Sequence, residues 1–435
     1  MKNGNKIISG FSRLSRSERI KWLEEQLDRS MAAFLDSFEL RDRYFQEIIA
    51  ELSENQLSNF HLPFSVAPNF LVNGKMMVFP LVTEESSVVA ALAKAAGFWA
   101  QRGGFHTCVV GTEKRGQVHF RWSGDPQRLH AEFPRIRERL IRESSHLTGK
   151  MESRGGGITK TELKYLPEVL DHYYQIDVGF DTCDAMGANF INSCMEQYGK
   201  SLRTFLAEQE EWPAGERDCT ILMAILSNYV PNSRARAWVE CPLEMLGTDP
   251  HVFAEKFCMA VHIARQDVSR AVTHNKGIFN GIDALAIATG NDFRAIEAGG
   301  HAYASREGHY AGLSEASICD GRFLFSLEMP VAVGVVGGVT SLHPMTGLAM
   351  QILENPGAGE LMQYLVVAGL ASNWAAIQAL VTTGIQKGHM KMHLSNILVA
   401  LHATDEQKLA ARLYFEDREV SFTEVEHYLR NYAGH

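Results

Sequence analysis

The chain has no basic surplus. Its 42 lysines and arginines are outnumbered by 51 acids, leaving a formal net charge of -9 over 435 residues. A general nucleic-acid binder, which needs cations to neutralise phosphates, is thereby excluded. A local basic pocket for a phosphorylated small molecule is still compatible with that balance. Cysteine is sparse: the 7 cysteines form no C-x-x-C pair and no zinc-ribbon spacing, so free thiols in a reducing cytoplasm are expected. There is no P-loop signature, and the Gly334-Val-Val-Gly-Gly338 run lacks the G-x-G-x-x-G order of a standard Rossmann site. The N-terminal residues carry no apolar signal core. The most apolar window, Leu361 to Val381, contains Gln363, Asn373 and Gln378 and reads as a buried helix, not a membrane span. Internal repeats, low-complexity tracts and long linkers are also missing. With 46% hydrophobic and 21% charged residues, a soluble intracellular protein of two or three domains is expected.

The periodicity of the chain changes several times. Residues 11 to 57 are predicted helical, opened by a capping box at Ser15-Arg-Ser-Glu18. Residues 60 to 82 predict a hairpin about Asn73-Gly74, and Ser87 to Trp99 returns to helix. Strands are expected at Val109-Val110, Val118 to Trp122 and Tyr173 to Val178, with charged helical sequence at Gln127 to His146 between them. Thr404-Asp-Glu-Gln407 and Ser421-Phe-Thr-Glu424 mark helix starts near the end of the chain. The expected fold is α+β. Residues 1–110 and 223–375 form a helix-rich large domain, 111–222 an inserted α+β domain, and 376–435 a C-terminal helical flap.

Chemistry concentrates in a few segments. Thr273-His-Asn-Lys-Gly-Ile-Phe-Asn-Gly-Ile282 is followed ten residues later by Asp292, and the lysine and the carboxylate are both expected on glycine-bracketed turns in an apolar, alanine-rich stretch. Lysine and aspartate are seldom buried unless paired, so Lys276 and Asp292 form either a structural ion pair or a cation held for chemistry. Glu84 and Glu85 close a strand ahead of an apolar helix. They serve either as first-turn acids facing the helix dipole or as a proton donor raised in pKa by burial. His389 and His393 lie four apart, as helix-borne metal ligands do, but the zinc-protease pattern requires glutamate where Met390 stands. His389, hinged on the preceding Gly384 and Gly388, reads better as a mobile acid, the alternative being a solvated surface histidine. Asp181-Thr-Cys-Asp-Ala-Met-Gly-Ala-Asn189 fits an ordinary strand-to-helix turn or an anion site at a helix N-terminus.

Together these segments resemble the class II (bacterial-type) 3-hydroxy-3-methylglutaryl-coenzyme A (HMG-CoA) reductase family. The matching runs are Glu84-Glu-Ser-Ser-Val-Val-Ala90, Asp184-Ala-Met-Gly-Ala-Asn189, Ile225-Leu-Ser-Asn228, Thr273-His-Asn-Lys-Gly277, Gly290-Asn-Asp-Phe-Arg-Ala-Ile-Glu-Ala298 and Gly384-Ile-Gln-Lys-Gly-His-Met390, in the family's order. The resemblance implies four-electron reduction of HMG-CoA to mevalonate and coenzyme A with two NAD(P)H, as part of isoprenoid synthesis. It implies Lys276 as the cation on the carbonyl oxygen, Glu85 as the acid protonating that oxygen, and His389 as the acid for the departing thiolate. Asp292 would bond the lysine and the glutamate. Ser87, Arg270 and Asn373 match positions holding the hydroxymethylglutaryl end. Asn228 and Asn280 match the nicotinamide and ribose surroundings, and Asp184, Met186, Gly187 and Asn189 match the cofactor turn. Arg13 lies near the family's coenzyme A phosphate contacts.

The same resemblance implies a homodimer with shared active sites, a cytoplasmic location, and no metal, membrane or nucleic-acid partner. NADH-preferring relatives carry an aspartate before the small domain's Gly-Gly-Gly. Thr148-Gly-Lys150 stands there in this chain, so NADPH is expected to be preferred, with NADH possible. The chain departs from the family at Gln56-Leu-Ser58 and at Ser86. The competing readings are mevalonate oxidation, a silent acyl-CoA-binding homologue, and a metal-dependent hydrolase using His389 and His393.

Overall fold

A computed structural model of the chain describes residues 8–382, 394–415, 418 and 420–432; the side chains of Ser86, Lys150 and Ser341 lie outside that description. The first part of the chain forms α1 (Arg16–Leu27), α2 (Ala32–Asp36) and α3 (Arg43–Ala50), then the β1 (Phe64–Val72) and β2 (Lys75–Val82) hairpin, α4 (Ser86–Ala100) and β3 (His106–Val109). Next come β4 (Lys114–Arg121), α5 (Pro126–Glu152), β5 (Gly157–Tyr165), β6 (Tyr173–Asp181), α6 (Ala188–Ala207) and β7 (Thr220–Ser227). The rest comprises β8 (Arg234–Pro242), α7 (Pro250–Gln266), α8 (Val268–Ala288), α9 (Phe293–Ala304), β9 (Ser314–Cys319), β10 (Arg322–Pro330), α10 (Val339–Leu342), α11 (Pro344–Ile352) and α12 (Ala358–Val381).

Local signals act as their chemistry demands. Ser15 and Glu18 form a reciprocal capping box on α1. Asn73 and Gly74 both take positive φ (47° and 84°), the conformation a two-residue hairpin turn requires. Thr404 and Gln407 cap the Asp405–Tyr414 helix in the same reciprocal way.

Two four-stranded antiparallel sheets organise the molecule, in the orders β3-β8-β10-β9 and β5-β6-β4-β7. The first packs against α4, α7, α8 and α12 over a core in which Trp99, Trp374 and Phe257 are fully buried. α12 is long and apolar enough to cross a membrane by length and composition, yet it runs through this core with Leu365 to Ala371 buried. Where α8 meets it, a Cβ on Gly281 would lie 2.4 Å from the Ala368 carbonyl oxygen, so glycine is what permits so close a crossing.

The second sheet packs Val118, Phe120, Ile176, Val178 and Phe180 against α5 and α6. The chain enters and leaves this layer side by side, with Arg234 N–H donating to Gly111 O at 2.9 Å. β7 stays paired with β4 through Ser227, so the second sheet extends past residue 222. α12 likewise runs on to Val381, past residue 376. The last described helices, Asp405–Tyr414 and Phe422–Arg430, share a small separate core around Ile397, Ala411, Phe415 and Val425.

Candidate functional site

Lys276 does not lie on a turn. It sits in the middle of α8, because Gly277 and Gly281, which read as turn residues in sequence, are packing glycines within a helix whose N-cap is Asp267. Lys276 Nζ stands 3.6 Å from Glu85 Oε2, and the two side chains are 64% and 38% exposed. Glu85 is the N-cap residue of α4, with its own N–H donating to Thr83 Oγ1 at 3.2 Å. Ser87 Oγ donates to Glu85 Oε1, so a residue expected to hold substrate is turned toward the acid. The fold therefore joins the start of α4 to the middle of α8, across nearly two hundred residues of chain, as a lysine and carboxylate open to solvent.

Asp292 caps α9, accepting from Ala295 N–H at 3.3 Å, and both its oxygens are engaged by Arg294 (3.0 and 3.2 Å). The expected Lys276 partnership is thus replaced in this structure by a local one. Burial raises the Asp292 pKa, but the hydrogen bonds from Arg294 and the Ala295 N–H outweigh it and hold the carboxyl below its ordinary value. Asp292 is accordingly a carboxylate near neutral pH. His389, like His393, lies outside the described residues.

Asn373 is fully committed inside the protein. Its Oδ1 accepts from Ser314 Oγ (2.8 Å) and its Nδ2 donates to His274 O (3.1 Å), while its exposure is 1%. The expectation that it grips substrate gives way to a role locking α12 to α8 beside Lys276. His274 completes the lock through Nε2 and Ser314 Oγ, 2.6 Å apart. Burial, aided by the Arg270 charge, pushes His274 down to about 3, so it is neutral and does not compete as a proton donor. Arg270, half-buried in the first turn of α8, is close enough to exert that effect. Asn280 follows Lys276 by one helical turn and is also half-buried. One turn of α8 further on, burial and the neighbouring Glu297 push the Asp283 carboxyl well above the usual carboxylate range.

The expected cofactor turn forms as a turn. Gly187 takes a left-handed conformation (φ 86°) at the N-cap of α6 and brings no side-chain cap, so the first-turn N–H groups of α6 are available to an anion. Met186 is half-buried and Asn189 exposed at this end. Asp184 departs from expectation, since its carboxylate accepts from Ala358 N–H at 2.8 Å and so caps α12. Asn228 is exposed just after β7, and its carbonyl lies so near Gly299 that a Cβ there would be 2.8 Å away. That contact sets the cofactor side against α9, the helix Asp292 begins.

Thr148 is a clear correction. It is 1% exposed and donates to Ser145 O, because α5 continues to Glu152 and its periodicity turns Thr148 inward. Lys150 is on the same helix, with its side chain outside the described residues. An exposed cation that sequence reasoning passed over is Arg154, immediately before Gly155-Gly-Gly157. Its carbonyl accepts the Cys183 thiol at 3.4 Å, bringing it beside the cofactor turn. Its adjacency to the triple glycine was a legible signal. Arg13, in the 3-10 turn Phe11–Arg13, is exposed. Among the described residues no group of three His, Cys, Asp or Glu side chains is arranged to hold a metal.

A family model described as Hydroxymethylglutaryl-coenzyme A reductase matches residues 15–394. The chain is 34% identical to the 3-hydroxy-3-methylglutaryl-coenzyme A reductase of Archaeoglobus fulgidus over 92% of its own length and 88% of the relative's. It is 31% identical to the probable enzyme of that name from Borreliella burgdorferi, over 90% and 88% of the two chains. A solved class II reductase from Streptococcus pneumoniae, bound to NADPH in open conformations, superposes with a TM-score of 0.72 at 35% identity, over 86% of this chain and 100% of that one.

Proposed function

Because this chain belongs to the hydroxymethylglutaryl-coenzyme A reductase family, its reaction is the NAD(P)H-dependent reduction of HMG-CoA to mevalonate and coenzyme A, and we propose that Glu85, Lys276, Asp292 and His389 carry it. The observation that supports this assignment best is the 3.6 Å approach of Lys276 to Glu85 between two distant helices. A thioester carbonyl receiving hydride needs positive charge where its oxygen becomes an oxyanion, and Lys276 supplies a mobile ammonium for that position. The same oxygen then needs a proton, and Glu85, kept beside the ammonium by Ser87, is the donor. Asp292 stays ionised under the hydrogen bonds from Arg294 and the Ala295 N–H, and its place in this set rests on the family the chain belongs to. His389 protonates the departing coenzyme A thiolate, which otherwise re-adds to the aldehyde.

The cofactor, when bound, supplies the two hydrides. Gly187 and the start of α6 fit its pyrophosphate, because no side-chain hydrogen bond caps that end of the helix. Arg270 and Ser87, in the first turn of α4, fit the free carboxylate end of the substrate. The exposed Arg154 supports a preference for NADPH through its 2′-phosphate. With saturating HMG-CoA, kcat/KM for NADPH should exceed that for NADH by ~10-fold or more, the size of one charge-assisted contact; equal values would refute the preference.

We infer a homodimer from the exposed apolar face of α7 and α8, where Val252, Met259, Ile263, Val268 and Val272 are each about half exposed. A fully active monomer in sedimentation would contradict this. A silent binding homologue is not favoured, since a binding module has no use for this acid-base set.

A further inference from the structure

Lys114 is the first residue of β4, yet it is only 6% exposed, and its ammonium is spent entirely on neutral oxygens. Nζ donates to Thr182 Oγ1 (2.5 Å), Ala185 O (2.6 Å) and Val333 O (3.3 Å). Three donors thus meet three acceptors. Two of those acceptors lie in the turn between β6 and α6, and the third lies in the segment that follows β10.

We propose that Lys114 is a positioning residue for the dinucleotide: its buried ammonium fastens the Thr182 to Gly187 turn to the Val333 segment and holds that turn in the shape that receives the cofactor. This rests on the dinucleotide reading given above. The surrounding contacts show how closely the two segments are keyed. Val335 N–H donates to Asp184 O at 2.8 Å, and Ala185 bridges Val336 as a strand pair. A Cβ on Gly334 would lie 2.2 Å from Met186 N, so the segments touch backbone to backbone. Gly334 N–H in turn donates to Asn291 Oδ1 at 2.9 Å, next to Asp292 in sequence. The fastening at Lys114 therefore reaches from the cofactor turn to the neighbour of the catalytic carboxylate.

Packing alone does not account for a lysine here. Taking an ammonium out of water is costly, and a methionine of similar reach fills the same volume without that cost. Burial pulls the Lys114 pKa down to about 8, against the raising charges of Asp181, Cys183 and Asp184, so the ammonium is retained at neutral pH. What methionine cannot do is hold three oxygens together under the turn.

The test compares wild type, Lys114→Met, Thr182→Val and the double variant as full-length protein. The readouts are fluorescence titration with NADPH and the separate KM values for NADPH and HMG-CoA. Lys114→Met should raise the NADPH Kd by ~10-fold or more, and Thr182→Val by ~3-fold, the scale of lost charge-assisted hydrogen bonds. The double variant should be no worse than Lys114→Met, because both changes break one fastening. KM for HMG-CoA should stay within about 3-fold, a split that general destabilisation does not produce. An unchanged NADPH Kd in Lys114→Met, or an equal rise in both KM values, overturns the proposal. Should Lys114→Met fail to fold, an unchanged Kd in Thr182→Val overturns it instead. A folded wild-type protein that shows neither binding nor turnover with NADPH or NADH defeats the dinucleotide reading itself, and with it this inference.

Discussion

Lys276→Ala is expected to reduce kcat by ~10³-fold, the cost of removing a principal oxyanion stabiliser, about 4 kcal/mol of transition-state energy. The loss should appear in kcat and not as a stability defect. Lys276 is 64% exposed, and its pairing with Glu85 at 3.6 Å is open to water. Such a pair contributes under about 1 kcal/mol to folding, so the melting temperature should scarcely move. The α8–α12 contacts run through Gly277, Gly281 and Gly369 and the Asn373–His274 hydrogen bond, none of which uses the lysine side chain. Lys276→Arg should not restore activity, because a planar guanidinium on a different stem does not place a point charge at the same position. Steady-state kinetics beside a thermal melt decide the matter. Activity within about tenfold of wild type in Lys276→Ala would remove the lysine from the chemistry.

Glu85→Gln is the second large effect. Glutamine keeps the size of the side chain and still accepts the Ser87 hydrogen bond, but it has no proton to give. A positioned general acid is worth ~10²- to 10⁴-fold, so kcat should fall within that range while KM for HMG-CoA changes little. The defect should extend to reduction of the free aldehyde, whose oxygen needs the same proton. Aldehyde reduction at the wild-type rate would reassign the acid. Because Lys276 and Glu85 act on one oxygen, Lys276→Ala combined with Glu85→Gln should lose much less than the product of the two single losses.

Much of this site was legible in the sequence because it depends on local chemistry. The Asp181 to Asn189 run is a strand-to-helix turn with glycine at the N-cap, and the Asn73-Gly74 turn and the Ser15 and Thr404 capping boxes form as their residues demand. The departures share one physical origin: tertiary packing reassigns residues whose local signal is ambiguous. Gly277 and Gly281 read as turn punctuation, but a helix crossing uses such a glycine to bring backbones together. Thr148 reads in sequence as facing the cofactor, but α5 runs past His146 to Glu152 and its periodicity turns Thr148 inward. Asn373 and Asp184 look like ligand groups in sequence, yet each is satisfied by backbone and hydroxyl partners from elements far away along the chain. Lys114 left no sequence signal at all, because one lysine opening a strand is ordinarily solvated. Its three acceptors come from segments about 70 and 219 residues away.

The most direct test of the account measures stoichiometry in a single reaction, counting NADPH oxidised against free thiol released when purified protein is given HMG-CoA. Two NADPH consumed per thiol, with no oxidation when HMG-CoA is omitted, is the predicted result. One NADPH per thiol with accumulating aldehyde, or thiol release without any NADPH oxidation, would contradict it.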